Sequence, residues 1–243
     1  MRKNAVTGDP CVANKEKNGK KCLLLSFALC FALLFSACTV EKKPENMPSP
    51  TPSPRLTVYV DAGHGDFDFG AVGLTEAGEQ VLEKDLTLSI ATLVAEGLRE
   101  AGHTVILSRT GDDRLTYTNS RDELLARRAA AIAGGADLLL SIHVNAYAGE
   151  GRAYGARVYH HPESAVAAAY AEALAAAVTQ HTGALIGRPC RVVTDGSFLI
   201  LGEPILPSLL FEVGFLSDPT ELPLLTDPTY QKRLADAVAE ALG

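Results

Sequence analysis

From residue 56 onward, short apolar runs alternate with stretches of helical periodicity, and this alternation restricts the fold more than any other feature of the chain. Strand-like runs occupy residues 56–61, 104–108, 138–142, 156–160 and 206–212, with strand and loop over 191–201. Helix-like segments fill the gaps. In 86–101, Leu86, Ile90, Leu93, Val94 and Leu98 recur at helical spacing. Residues 121–133, 164–182 and 229–242 read the same way, and Gly102, Gly134-Gly135 and Gly183 mark helix ends. Strands and helices alternating through short connections build a largely parallel sheet with both faces covered. The expectation is therefore an α/β fold: one three-layer domain with a mostly parallel, twisted sheet of about six strands and helices on both faces. Trp is absent and aromatics are only 6%, so Ala, Leu and Val must fill the core.

The segment before this domain has a different character. Residues 1–21 are polar and end in Lys20-Lys21, and residues 22–37 are continuously apolar. A positive region, an apolar run and small closing residues form a signal-peptide pattern, and the run is short for a membrane span. Leu34-Phe35-Ser36-Ala37-Cys38 resembles a bacterial lipoprotein box, with Phe35 where an aliphatic residue is usual. On that reading residues 1–37 are a lipoprotein-type signal peptide and Cys38 is lipidated, anchoring the protein to a membrane. An uncleaved anchor and an ordinary secretory signal are the alternatives, and all three export the domain. Residues 38–55 are rich in Pro and read as a semi-rigid linker. Residues 56–243 are the folded domain.

Charge and cysteines exclude some functions. Residues 1–37 hold six Lys/Arg and two Asp/Glu, which leaves 16 basic and 27 acidic side chains, a net of −11, from residue 38 onward. Such an acidic body argues against nucleic acid as a partner. Beyond Cys38 only Cys190 remains, which reads as an idle thiol.

Three polar residues stand where apolar strands finish: His64 after Val58-Tyr59-Val60-Asp61, His143 in Ser141-Ile142-His143-Val144-Asn145, and Glu212 in Leu210-Phe211-Glu212-Val213-Gly214. Open α/β sheets collect their chemistry beyond the carboxyl ends of the strands. A charged Glu212 in an apolar run is costly to bury without a partner. Glu83 opens the first helix, where an acid complements the helix dipole and from where it can reach the same edge. Glu76 and Glu79 are rivals for that place. Two imidazoles and a carboxylate with an open fourth position form a catalytic zinc site. Zinc would acidify its bound water, and Glu212 would serve as general base and acid. The other histidines read as bystanders: His103 as an exposed edge residue, His181 at a helix end, and His160 and His161 facing water or lining substrate.

Asp61-Ala62-Gly63-His64-Gly65, Glu83-Lys84-Asp85, Ser141-Ile142-His143-Val144-Asn145 and Leu210-Phe211-Glu212-Val213-Gly214-Phe215-Leu216-Ser217, in this order, resemble the zinc-dependent N-acetylmuramoyl-L-alanine amidases of the type-3 amidase family. The resemblance spans about residues 56–243, with Ala62 where the family usually has Pro. It implies one Zn2+ bound by His64, Glu83 and His143, with Glu212 as the catalytic glutamate. It implies cleavage of the amide between the lactyl group of N-acetylmuramic acid and the L-alanine of the peptidoglycan stem. It matches Arg127 to a recurrent family arginine, which either supports the site by pairing with a carboxylate or decorates a helix face. Some relatives carry an inhibitory helix after the third strand; the short path from Asn145 to Tyr159 predicts an open cleft here. Peptidoglycan as partner suits an enzyme exported to the outer face of the membrane or to the wall. Another zinc-dependent peptidase or amidohydrolase on this scaffold, or a non-catalytic wall-binding lipoprotein, are the alternatives.

Overall fold

The computed structural model describes residues 54–112, 119–150 and 152–243; the signal-like segment and Cys38 lie outside these residues. Six strands form the central sheet: β1 (Thr57–Ala62), β4 (Thr104–Leu107), β5 (Leu138–Asn145), β6 (Arg157–His160), β7 (Arg191–Thr194) and β8 (Ser208–Phe215). Their order is β4-β1-β5-β8-β6-β7. β4, β1, β5 and β8 are mutually parallel. β6 runs antiparallel to β8, and β7 runs parallel to β6, so these two edge strands are reversed. A small hairpin of β2 (Val72–Leu74) and β3 (Gln80–Leu82) precedes helix α1 (Glu83–Glu100). The remaining helices are α2 (Ser120–Ala133), α3 (Ala165–Ile186), α4 (Glu221–Leu225) and α5 (Pro228–Leu242).

Helix starts follow local chemistry. The Asn119 side chain accepts from Asp122 N–H, Ser164 from Ala167 N–H and Asp227 from Thr229 N–H, each satisfying a donor that a helix leaves unpaired. Pro228 opens α5, where its missing N–H costs nothing.

The two faces of the sheet have different tasks. On one, Val58, Val60, Leu140, Ile142, Phe211 and Val213 pack against Ile90, Val94 and Leu98 of α1, Leu174 and Val178 of α3, and Leu234 and Val238 of α5. Each such buried aliphatic side chain contributes roughly 1.5–3 kcal/mol. On the other, Tyr59, Leu139, Leu210 and Tyr159 meet Ala131 and Leu124 of α2 and Ile200, Leu201 and Leu206 of the β7–β8 connection. Alternation along a strand puts Asp61, Ser141, His143, Glu212 and Arg157 on this second face. The lower half of that face is thus a minor core, and its upper half is polar.

Several elements differ from the sequence reading. β5 continues through His143 to Asn145, and β8 through Glu212 to Phe215, so both residues lie within strands rather than where they finish. α3 continues past Gly183 to Gly187, which takes the left-handed conformation at the helix end. The described residues of 146–156 contain no helix.

Candidate active site

β1 leaves the sheet in a tight turn that carries His64. His64 (φ 63°) and Asp66 (φ 50°) both adopt left-handed backbone, which persists only when neighbours over-determine it. Two buried arginines do so. Arg127 donates to Ala62 O and His64 O, both at 2.7 Å. Arg109 donates to Ala62 O at 3.1 Å, Gly63 O at 3.0 Å and Lys84 O at 2.7 Å. Three successive carbonyls, those of Ala62, Gly63 and His64, are thereby tied to guanidinium groups. Lys84 Nζ donates to Asp66 O at 2.9 Å and holds the far end of the turn.

Glu83 is the first residue of α1 and is buried. Its Oε2 accepts from Ala71 N–H at 2.7 Å and its Oε1 from Val144 N–H at 2.9 Å. Oε1 also lies 3.0 Å from His64 Nε2 and 3.1 Å from His143 Nδ1. The two imidazoles stand edge to face with centroids 4.8 Å apart. Donor atoms of His64, Glu83 and His143 all lie within 4.8 Å of one another, the one such group among the described residues. The approach requires bare backbone at two points. A Cβ on Gly63 would run into the His143 ring, and one on Gly70 would sit 2.6 Å from Glu83 Oε2. Glu76 and Glu79, the rival carboxylates, are exposed near the tip of the β2–β3 hairpin.

Glu212 faces His143 across β5 and β8, in direct register. Its Oε2 is buried with no hydrogen-bond partner among the described residues. Burial pushes its carboxyl up, and the nearby Glu83 charge adds to this, carrying it to about 7 against the pull of the imidazoles. Burial would also depress His64, but Glu83 and Asp68, whose Oδ2 lies 2.9 Å from Nδ1, raise it to about 9. Burial opposes ionisation of Glu83, yet His143 and His64 hold its carboxyl far below the usual range. An anionic carboxylate flanked by two imidazoles suits a divalent cation, with two nitrogen donors and one oxygen.

Arg127 does more than line a helix. It pairs with the fully buried Asp61 at 2.7 Å and with Glu123 at 2.5 Å while gripping the His64 turn. Ser141 donates to the other Asp61 oxygen at 2.7 Å. Its neighbour Arg128 turns the other way, donating to Leu201 O and tying down the β7–β8 connection. A cleft of about 240 Å³ opens beside the imidazoles, lined by His64, Asp68, His143 and, from the α2 side, Ser120, Glu123, Leu124 and Arg127.

The other histidines fall elsewhere. His160 is buried opposite Leu209, at the end of β6 remote from Glu212, because β6 is reversed; it contacts His161 O and Thr194 Oγ1. His103, expected to be exposed, is buried and accepts from Leu56 N–H at 3.1 Å. His181 pairs with Glu240 at 2.8 Å, well before the end of α3. Cys190 is a partly buried thiol pushed up to about 12 by burial, which suits an inert role. The same reversal of β6 brings Arg157, which the sequence did not single out, directly opposite Glu212.

Residues 58–243 match the model of the N-acetylmuramoyl-L-alanine amidase family. The chain belongs to this family. It is 31% identical over 232 residues to a germination-specific N-acetylmuramoyl-L-alanine amidase of Bacillus subtilis, covering 92% of this chain and 94% of the relative. It is 32% identical over 218 residues to the uncharacterised B. subtilis protein YqiI, covering 89% and 94%. Among solved structures, the CwlD amidase of Clostridioides difficile, determined in complex with the GerS lipoprotein, superposes with a TM-score of 0.66 at 29% identity, covering 77% of this chain and 96% of that one. The catalytic domain of the amidase CwlV from Bacillus (Paenibacillus) polymyxa var. colistinus gives 0.64 at 30% identity, covering 76% and 95%. The amidase family, the α/β class and the six-stranded, mostly parallel sheet all agree with the sequence reading.

Proposed function

We propose that this amidase hydrolyses the bond between the lactyl group of N-acetylmuramic acid and the L-alanine of the peptidoglycan stem, with His64, Glu83 and His143 holding one zinc ion and Glu212 handling the proton. The observation that carries the reading is the meeting of two imidazoles and one carboxylate within 4.8 Å of one another, with a second carboxylate one strand away. Three protein donors leave a position free for water or substrate, as catalytic zinc requires. When bound, zinc would polarise the amide carbonyl and acidify a water.

The remaining work falls to the chain's own groups. Glu212 takes a proton from the attacking water and returns it to the departing amine. Burial raises this carboxyl and so favours its taking up a proton. Asp68 beside His64 Nδ1 and the Val144 and Ala71 N–H groups on Glu83 fix the donors from behind. Arg127 is a positioning residue: it holds the backbone that carries His64.

The export reading fits this substrate, which lies outside the cytoplasm. Residues 1–37 act as a lipoprotein-type signal, Cys38 carries the lipid, and the Pro-rich residues 38–55 link it to the catalytic domain. Among the described residues no helix is long and apolar enough to cross a membrane. The test is digestion of purified peptidoglycan followed by labelling of new amino ends. Free L-alanine amino termini, lost in Glu212→Gln, are expected; amino ends from within the stem would mean a peptidase instead.

A further inference from the structure

Arg157 begins β6 and lies opposite Glu212 in the antiparallel β6–β8 pair, so the two side chains share a face. His143, Glu212, Arg157 and Arg191 occupy one row across β5, β8, β6 and β7. The guanidinium of Arg157 lies 4.9 Å from the centroid of Phe215, itself buried. Phe215 reaches this face through a bulge: the register passes from His143↔Glu212 to Asn145↔Phe215, so one extra residue of β8 reverses its alternation. Arg157 Nη1 also donates to Tyr159 Oη at 3.4 Å. The ring below and the hydroxyl beside it hold the guanidinium in place.

This cation is only partly exposed; its charge is felt by Glu212 opposite, but no carboxylate of the described residues lies within ion-pair distance of it. Arg127 and Arg152, by contrast, pair with Asp61 and Asp218. Arg109 and Arg128, which also lack an ion pair, spend their N–H groups on backbone carbonyls, whereas Arg157 donates only to the Tyr159 hydroxyl among the described residues and keeps donors for a ligand. The row also has a direction. The metal-ligand side lies at His143, and Glu212 stands between it and Arg157. If Glu212 delivers the proton to the departing amine, whatever is attached to that amine continues toward Arg157.

We propose that Arg157 binds a carboxylate of the stem peptide, so that the stem crosses β6 toward Arg191 while the sugar side lies over the cleft beside α2. The inference rests on the amidase reading above. Neighbouring strands are about 4.8 Å apart and an extended residue advances about 3.4 Å, so the carboxylate belongs to the first or second residue after the scissile amide. A guanidinium placed over a ring, with its donors not spent on a carboxylate, can pair with such a group through two N–H bonds.

The test uses full-length protein and glycan fragments bearing a dipeptide stem. One substrate has free carboxylates on its second residue, two are amidated at one carboxylate or the other, and a fourth is amidated at both. Wild-type protein is expected to show kcat/KM at least about tenfold higher on the free form, and the singly amidated forms identify which carboxylate is read. Arg157→Gln is expected to abolish the preference through KM, so that its kcat/KM values on the four substrates agree within about twofold, and Arg157→Lys to restore part of the preference. Equal use of all four substrates by wild-type protein overturns the inference, as does an Arg157→Gln loss that is uniform across them. Wild-type inactivity on every form overturns the amidase reading and the inference with it. Thermal melting and zinc content of both variants separate a folding defect from a binding one.

Discussion

Replacing Arg127 with Ala tests whether the turn that carries His64 is held by a buried ion pair. The guanidinium meets Asp61 Oδ1 and Ala62 O at 2.7 Å, His64 O at 2.7 Å and Glu123 at 2.5 Å. Asp61 is fully buried, and after the change only the Ser141 hydroxyl would face its carboxylate. Removing one partner of a buried pair costs about 3–5 kcal/mol. In a domain of this size that lowers Tm by roughly 6–20 °C. The pH dependence has a defined sign. Burial opposes ionisation of Asp61, but Arg127 and Ser141 hold its carboxyl below the ordinary value. A depressed carboxyl contributes stability that is present above its unfolded pKa of about 3.9 and is lost as pH falls through the folded value. Without Arg127 the buried Asp61 protonates more readily, so the gap between variant and wild type is largest near pH 7 and narrows on acidification. Urea denaturation of both proteins at pH 7 and pH 4.5 measures it. A difference below about 1 kcal/mol at pH 7, or one equal at both pH values, would refute the reasoning. Arg127→Lys should recover only part of the loss, because one ammonium cannot serve four acceptors on two elements.

Other outcomes follow from the same geometry. Glu212→Gln should retain metal content and fold while losing about 10²–10⁴-fold in kcat; kinetics alongside metal analysis reads both. Gly63→Ala drives a methyl into the His143 ring, and chelator competition should show zinc affinity reduced about 10–100-fold or more. Cys190, held near 12 by burial, should resist iodoacetamide at pH 8 in native protein and react on unfolding. Its stabilising effect is present below the unfolded thiol pKa of about 8.5 and is lost as pH rises toward the folded value.

What the sequence could and could not convey follows from range. The strand–helix alternation and the residues at three strand ends are local patterns, and they place His64, His143 and Glu212 at one sheet edge; that Glu83, rather than Glu76 or Glu79, stands beside the two imidazoles is seen only in the fold. The lengths of β5 and β8 were not: Val144, Asn145, Val213 and Phe215 continue the pleat because neighbouring strands pair with them, and pairing is a long-range event. The direction of β6 was equally hidden. Residues 157–160 read as a strand either way, yet reversal moves His160 to the far edge and brings Arg157 beside Glu212. Arg109 escaped notice because its partners are carbonyls at 62, 63, 84 and 111, a role with no sequence signature. The β2–β3 hairpin was missed because its strands are three residues each and mostly exposed. It fills much of the stretch between Gly65 and Glu83 and leaves Glu76 and Glu79 exposed near its tip.

The claim beneath all of this is that His64, Glu83 and His143 act together on one ion. Zinc bound per chain, measured on purified full-length protein and on His64→Ala, Glu83→Gln and His143→Ala with melting curves to verify folding, tests it most directly. The account predicts one tightly held zinc in wild-type protein and its loss in each folded variant. Stoichiometric zinc retained after any two of these changes, or a fully active wild-type enzyme free of metal, would contradict it.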